Sequence, residues 1–277
     1  MHLNLMIMVF ALAHAFCNVS VMPLKSEPDH RAEQVSQLLF GEGAEIIEVN
    51  SKDWAYINTK WDGYKGWCKF SQLSVVSRQE YGKEAKYFST GQGTKIALKE
   101  REMWLPAGSE LRLKIARSLP EGEGAAFKGK KLMVSEAALN CVNLKNAALD
   151  YLYSPYQWGG RSAAGIDCSG LTQMAFKLSN HSIPRDASQQ ANEGELVDFL
   201  QNAQCGDLAF FDNKDGKIVH VGILLDNQTI IHAADSAGRV VVDKIDQGGI
   251  ISVSLRKRTH NLRLVKRIIK GIPKTDQ

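Results

Sequence analysis

Asp167-Cys168-Ser169-Gly170-Leu171 decides how this chain is read, because it sets one cysteine at the opening of a helix. Leu171, Met174, Ala175 and Leu178 follow at helical spacing and predict an amphipathic helix, with Asp167 or Ser169 available to cap its first turn. Unpaired amides and the positive end of the helix dipole favour a thiolate at that address, where a cysteine pKa falls from about 8.5 into roughly the 3.5–7.5 range. Cys168 is therefore expected to be reactive. Upstream, Pro155-Tyr156-Gln157-Trp158-Gly159-Gly160 and Gly165 predict a loop that crosses close to the thiol. Tyr156 and Trp158 either line a cleft there or serve as ordinary core aromatics.

A nucleophilic thiol needs a base. The β-branched run Ile218-Val219-His220-Val221-Gly222-Ile223-Leu224-Leu225 reads as a strand, and Thr229-Ile230-Ile231-His232-Ala233 as the next. Adjacent strands bearing one histidine each can hold two imidazoles side by side, one polarising the thiol and the other orienting its partner. Gly206-Asp207-Leu208-Ala209-Phe210-Phe211-Asp212 reads as a further buried strand that completes a small antiparallel sheet. A lone cysteine at a helix start, or a lone histidine in an apolar strand, is more often structural than catalytic. Cys68, Cys141 and Cys205 fall in that structural class, and only Cys168 has the two histidines for company. With no CxxC or HxxxH spacing beside them, no metal is expected.

Six segments in order over residues 135–270 resemble the NlpC-type cell-wall peptidases, papain-like cysteine hydrolases of peptidoglycan stem peptides. They are Tyr156-Gln157-Trp158-Gly159-Gly160, Asp167-Cys168-Ser169-Gly170-Leu171, Pro184-Arg185-Asp186-Ala187-Ser188-Gln189-Gln190, Gly206-Asp207-Leu208-Ala209-Phe210-Phe211, His220-Val221-Gly222-Ile223 and Ile231-His232-Ala233. The resemblance implies that Cys168 is the nucleophile, His220 the general base, His232 the third polar member and Tyr156 a donor to the oxyanion. It also implies attack on an amide carbonyl, a thioester intermediate and its release by water. Thiolate, imidazole and oxyanion donors supply that chemistry, so no cofactor is expected.

At 277 residues and 44% hydrophobic content, the chain can bury a core in two or three domains. The net charge of +4 is modest. The basic residues are mostly spread, and the runs Arg256-Lys257-Arg258 and Lys266-Arg267 read as a solvated face without a nucleic-acid motif. Leu5 to Phe16 is an apolar run too short to span a bilayer, and it ends in Ala13-His14-Ala15. Residues 1–15 are therefore expected to be a cleaved secretory signal, the alternative being a buried first element. Cys17 raises a lipoprotein alternative, which Phe16 immediately before it disfavours. The expected location is exported, in the periplasm or outside the cell, with no stable membrane insertion. The remaining cysteines show no regular disulfide spacing.

Ahead of the helix predicted over residues 136–153 and capped by Ser135, the chain alternates short strands and turns. Ala44–Val49, Trp54–Ile57 and Gly66–Lys69 read as strands separated by Asn50-Ser51-Lys52-Asp53 and Asp62-Gly63. This spacing suggests a small barrel and resembles a bacterial SH3-like domain over residues 23–76. Residues 77–134 read as a second β-rich, possibly SH3-like domain, with strands over residues 94–98 and 110–115. The expected architecture is thus α+β: a papain-like catalytic domain over residues 135–277, helices packed on a small antiparallel sheet, after one or two SH3-like β-barrels.

That combination resembles the γ-D-glutamyl-L-diamino-acid endopeptidases, which cut wall peptides bearing a free N-terminal L-alanine. The resemblance implies that an acidic residue and a tyrosine of the first barrel join the aspartate before the nucleophile around the substrate ammonium. Glu42, Tyr64 and Asp167 are the candidates, and the Ser169 hydroxyl either helps to bind substrate or only starts the helix. Such a site rewards a free amine and is left with unpaired charge when the amine is acylated. The expected partners are peptidoglycan-derived peptides. Open alternatives are a hydrolase of intact wall anchored by its barrels, a non-catalytic wall-binding protein, and an acyltransferase using the same thioester.

Overall fold

The computed structural model describes residues 13–269, which divide into a first unit reaching to Glu136 and a second from Ala137 onward. The chain returns to the first unit for residues 159–162. The first unit begins with β1 (Ala13–Cys17), β2 (Val21–Lys25), β3 (Gln34–Leu39), β4 (Gly43–Val49), β5 (Trp54–Thr59), β6 (Lys65–Lys69) and β7 (Leu73–Val76). Period-two burial explains the strands: Met22 and Leu24 of β2 face inward, as do Ala55 and Ile57 of β5. The seven strands pair in the order β3-β2-β6-β5-β4-β1-β7 and wrap a single core, to which Cys17, Leu38, Ile46 and Cys68 also contribute.

Strand β1 bears on the reading of the N-terminus. Ala13 to Phe16 pair with β4, and His14 to Cys17 pair with the edge strand β7, so β1 is flanked on both sides. Cleavage after Ala15 would cut this strand in two. The rest of the expected signal, residues 1–12, lies outside the described residues. Cys17 is fully buried, with its sulfur 3.3 Å from the Val19 carbonyl oxygen.

Residues 77–134 do not close a second barrel. They hold α1 (Arg78–Tyr81), α2 (Leu113–Ser118) and five three-residue strands: β8 (Tyr87–Ser89), β9 (Lys95–Ala97), β10 (Glu102–Trp104), β11 (Ala126–Lys128) and β12 (Lys131–Met133). These form a three-stranded sheet, β10-β9-β11, and a two-stranded one, β12-β8. Sheets this small cannot bury a core alone. They share one with the barrel, Ile96, Leu105 and Ile115 packing with Phe16 and Phe40. Part of the strand expected over residues 110–115 is instead the start of α2, whose Ile115 and Ala116 point into that core.

The second unit starts with α3 (Cys141–Leu149), shorter than expected and capped by Asn140, whose side chain accepts from the Asn143 amide at 2.9 Å. Ser135 lies in a separate single turn. After β13 (Arg161–Ser162), which falls in the first unit, come β14 (Gly165–Ile166), α4 (Cys168–Leu178), α5 (Ala187–Gln190) and β15 (Glu195–Val197). β16 (Leu208–Asp212), β17 (Ile218–Leu224), β18 (Thr229–Ala234), β19 (Arg239–Asp246), β20 (Gly249–Ser252) and β21 (Lys257–Arg267) complete the chain. Seven strands pair in the order β15-β21-β16-β17-β18-β19-β20, and β20 also pairs back onto β21. The sheet therefore closes on itself around Phe211, Leu224, Ile230 and Ile250.

Helix α4 packs against α3, β17 and β18. It is buried on every side, not along one stripe, and its polar side chains are hydrogen-bonded: Thr172 to Gln190 at 2.7 Å and Gln173 to the Ile183 carbonyl at 3.2 Å. A disulfide between Cys141 and Cys205 ties the start of α3 to the turn before β16, 64 residues on.

Candidate active site

Cys168 is the first residue of α4, and Asp167 caps the helix by accepting from the Gly170 amide at 2.7 Å. The backbone amides of Ser169 and Val221 lie near enough to the sulfur to favour its ionised form, which sets the thiol against β17 at the residue after His220. The helix start does not produce the low pKa expected of it. Burial pushes the Cys168 thiol up to about 12, the Asp167 charge adds to the rise, and the amides and Arg185 only offset part of it. At rest the group is therefore a thiol and needs a base.

That base is set by a chain of hydrogen bonds with one consistent proton arrangement. His220 Nε2 lies 2.8 Å from His232 Nδ1, and His232 Nε2 lies 3.3 Å from Asp243 Oδ2. Burial opposes ionisation of Asp243, but hydrogen bonds from His232, the Val253 amide and Ser252 prevail and hold its pKa below the ordinary value. An ionised carboxylate only accepts, so His232 carries its proton on Nε2 and accepts at Nδ1. His220 then donates from Nε2, which leaves its Nδ1 lone pair as the proton acceptor. Burial first, and then the electrostatic influence of the adjacent His232 and His260, holds the His220 pKa well below 6.5 and keeps the ring neutral. The closeness of β17 and β18 depends on Gly222, where a Cβ would stand 3.0 Å from the His232 Cβ.

Tyr156 is held by its amide on the Gly238 carbonyl at 2.8 Å and by a bridge to Ile166. Burial, then the charges of Cys168, Asp167 and Asp235, push its phenol pKa up, so the hydroxyl stays protonated in reach of the thiol's field. It is a donor of the kind an oxyanion needs. Trp158 stands 58% exposed near the Gly pair.

The carboxylates expected to meet a substrate ammonium are each held by an arginine. Arg185, itself buried, donates from Nη2 to Asp167 Oδ2 at 2.6 Å, and from Nη1 to Asp167 Oδ1 at 3.0 Å and the Ser169 hydroxyl at 2.7 Å. Within the first unit Arg161 donates to both oxygens of Glu42, at 2.8 and 3.0 Å, and the Leu39 amide adds a third bond at 2.7 Å. Glu42 is 2% exposed, which rules out a plain surface role. Tyr64, just before β6, donates its amide to Thr59 Oγ1 at 2.8 Å and packs its ring at the margin of the barrel core.

Residues 153–259 match the NlpC/P60 family, and residues 24–73 match the bacterial dipeptidyl-peptidase Sh3 domain. The chain is 29% identical over 251 residues to dipeptidyl-peptidase 6 of Lysinibacillus sphaericus, covering 81% of this chain and 89% of that one. It is 30% identical over 222 residues to the gamma-D-glutamyl-L-lysine dipeptidyl-peptidase of Bacillus subtilis, covering 72% and 71%. The chain belongs to the NlpC/P60 family. It is a cysteine peptidase. The fold agrees: an NlpC/P60 family protein from Bacillus cereus superposes with a TM-score of 0.74 at 21% identity, over 92% of this chain and 99% of that one.

Three features of this NlpC/P60 site were missed by sequence reasoning. Asp243 sits in a strand of alternating residues with no motif, and only the pairing of Ile230 with Asp243 reveals that it lies diagonally from His232. Arg185 is inside a matched segment, but nothing local tells that it reaches back to the helix cap. His260, stacked on His220 at 4.2 Å between ring centroids, lies just past the matched span.

Proposed function

We propose that the protein hydrolyses the γ-D-glutamyl bond to the diamino acid in peptidoglycan stem peptides, with Cys168 as nucleophile and His220 as general base. The observation that carries this reading is the ordered chain Asp243–His232–His220, which leaves the His220 Nδ1 lone pair as acceptor on the strand whose next amide reaches the Cys168 sulfur. As the sulfur attacks the carbonyl carbon, its proton passes to His220 Nδ1. The imidazolium is stabilised through His232 by the Asp243 carboxylate, and the developing oxyanion accepts from Tyr156. His220 then protonates the leaving amine, the carbon–nitrogen bond breaks, and a thioester remains. Water, deprotonated by His220, releases the acid and restores the thiol.

The substrate assignment rests on relatives named for γ-D-glutamyl-L-lysine cleavage and on the matched Sh3 domain. We assign selection of a free N-terminal L-alanine to Glu42, Tyr64 and Asp167, with Ser169 and Trp158 contributing to substrate binding. Arginine pairing is compatible with that role. Arg161 and Arg185 keep buried carboxylates ionised and fixed, and a carboxylate has about four lone-pair sites, of which a fork uses only part. The envelope location is supported by the Cys141–Cys205 disulfide, since such bonds persist in oxidising compartments. Among the described residues no helix is long and apolar enough to cross a membrane.

Mass spectrometry of products from L-Ala-γ-D-Glu-L-Lys and its N-acetylated twin, with wild type and Cys168→Ala, tests the whole reading. Release of L-Ala-D-Glu from the free peptide alone, dependent on Cys168, is expected. Glu42→Gln should then slow the free peptide selectively. Cleavage of both peptides removes the amine selection, and cleavage of neither, with activity on intact wall, replaces the substrate.

A further inference from the structure

The His220 ring is held on its face as well as its edge. Nε2 meets His232, Phe211 of β16 approaches to 5.7 Å between ring centroids, and the His260 imidazole lies on the ring at 4.2 Å and 19°. Phe211 approaches His260 as well, at 5.7 Å. His260 comes from β21, the strand on the far side of β16 from β17.

The backbone around His260 is bent to put it there. Pairing of β21 with β20 shifts register between Ile250, opposite His260, and Ile251, opposite Arg258. Pairing with β16 shifts again between Phe210, opposite Leu264, and Phe211, opposite Leu262. Bulges of this kind re-aim a side chain and concentrate beside active sites. Gly249, at φ +120°, admits the close approach, since a Cβ there would stand 1.9 Å from the His260 carbonyl oxygen. Thr259 Oγ1, 2.9 Å from His260 Nδ1, fixes one edge of the ring.

We infer that His260 is a positioning residue of this peptidase: stacked on His220, it fixes the plane in which Nδ1 meets the thiol and shuts water from that face. The inference rests on the reading of His220 as the base. An edge contact to His232 alone leaves the His220 ring free to rock about that hydrogen bond, and a face contact removes the freedom. A neutral imidazole also offers its π face to the cation that His220 becomes during acylation. A charged one would repel it. Burial and the neighbouring His232 hold the His260 pKa down to about 4, so the ring is neutral near pH 7.

Steady-state kinetics on the full chain with His260→Ala and His260→Phe test this, with His220→Ala as the reference. In the alanine variant kcat is expected to fall about ten- to a hundredfold, the order of a misplaced catalytic group, while KM stays within about twofold. His260→Phe keeps a flat face without a proton site and should recover most of that loss, even if the alanine variant is too unstable to measure. Wild-type kcat in His260→Ala, a loss confined to KM, or a phenylalanine variant no more active than a folded alanine variant each overturns the inference. An inactive His220→Ala beside unimpaired His260 variants overturns it alone. An active His220→Ala overturns the assignment of the base first.

Discussion

Free thiols occur at three buried positions among the described residues, Cys17 and Cys68 in the barrel and Cys168 in the second unit. Burial raises all three. Cys68 is pushed up to about 12, as is Cys168, and Cys17 is raised further by burial together with the nearby Glu42 and Cys68. By acidity alone the three cannot be told apart. What separates them is the surroundings: Cys17, with its backbone contact to Val19, and Cys68 face a core of aliphatic side chains, whereas Cys168 lies next to the strand that carries His220. In the proposed mechanism, reactivity is thus built from a waiting acceptor and not from a lowered thiol pKa.

The sharpest way to break that comparison is substitution of each cysteine. Cys168→Ala should lower kcat by about four orders of magnitude or more while leaving thermal unfolding near wild type. Cys68→Ala should do the reverse, costing about 1–2 kcal/mol of stability through a small cavity and leaving kcat within about twofold. A folded Cys68→Ala protein without activity would contradict the division of roles.

Graded losses along the hydrogen-bond chain come next. His220→Ala should fall within about tenfold of Cys168→Ala, because the proton acceptor goes with the ring. His232→Ala should lose about a hundredfold or more, and Asp243→Asn about ten- to a hundredfold, since each sets the tautomer of the group before it. If His220 and His232 tolerate replacement equally, the direction assigned to the chain is wrong.

How far the sequence already disclosed this site follows from the range of its contacts. Cys168, His220 and His232 were legible because each stands in a local pattern: a helix start, and two apolar strands close together in the chain. The barrel strands β4 to β6 were legible from period-two burial for the same reason. Asp243 and His260 become visible only once strand registers are known, and two bulges near His260 break the rule that alternate residues share a face. The disulfide joins residues 64 apart, with no spacing to announce it. Strand β1 was not legible because an apolar segment ending in Ala13-His14-Ala15 serves equally well as a leader and as a barrel strand; its pairing with β4 and β7 appears only in the fold. The low thiol pKa expected of a helix start is not reached because desolvation and the Asp167 charge outweigh the backbone amides and Arg185.

That last point makes a pH prediction. A thiol raised to about 12 is overwhelmingly protonated at neutral pH, so iodoacetamide should alkylate Cys168 slowly there. The rate should rise about tenfold per pH unit from pH 6 to 9 without a plateau. Cys17 and Cys68 should stay unmodified until the chain is unfolded. A plateau beginning near pH 6, read by mass spectrometry of the Cys168 peptide, would mean a resting thiolate–imidazolium pair and erase the proposed likeness of the three thiols.

The smallest effect tests the spacing that makes Cys168 different. Gly222 lies beside β18, and an added Cβ would meet Ile230 side-chain atoms at 2.7 and 2.8 Å and the His232 Cβ at 3.0 Å. The Ile230 chain end can turn aside, but the His232 Cβ is fixed to its strand, so β18 must shift by a few tenths of an ångström. His220 and His232 meet at 2.8 Å, and lengthening that bond weakens the hold on the base. Gly222→Ala should therefore destabilise by about 1–3 kcal/mol, the usual range for overpacking, and lower kcat several-fold at temperatures where it remains folded. A milder overpacking made in the barrel, Gly66→Ala, meets the Leu24 Cβ at 3.2 Å and lies in the other unit. It should cost stability with no change in kcat. If the two glycine variants lose activity in the same proportion to their stability, the close approach of β17 and β18 is a packing feature only, and the hold on His220 must come from elsewhere.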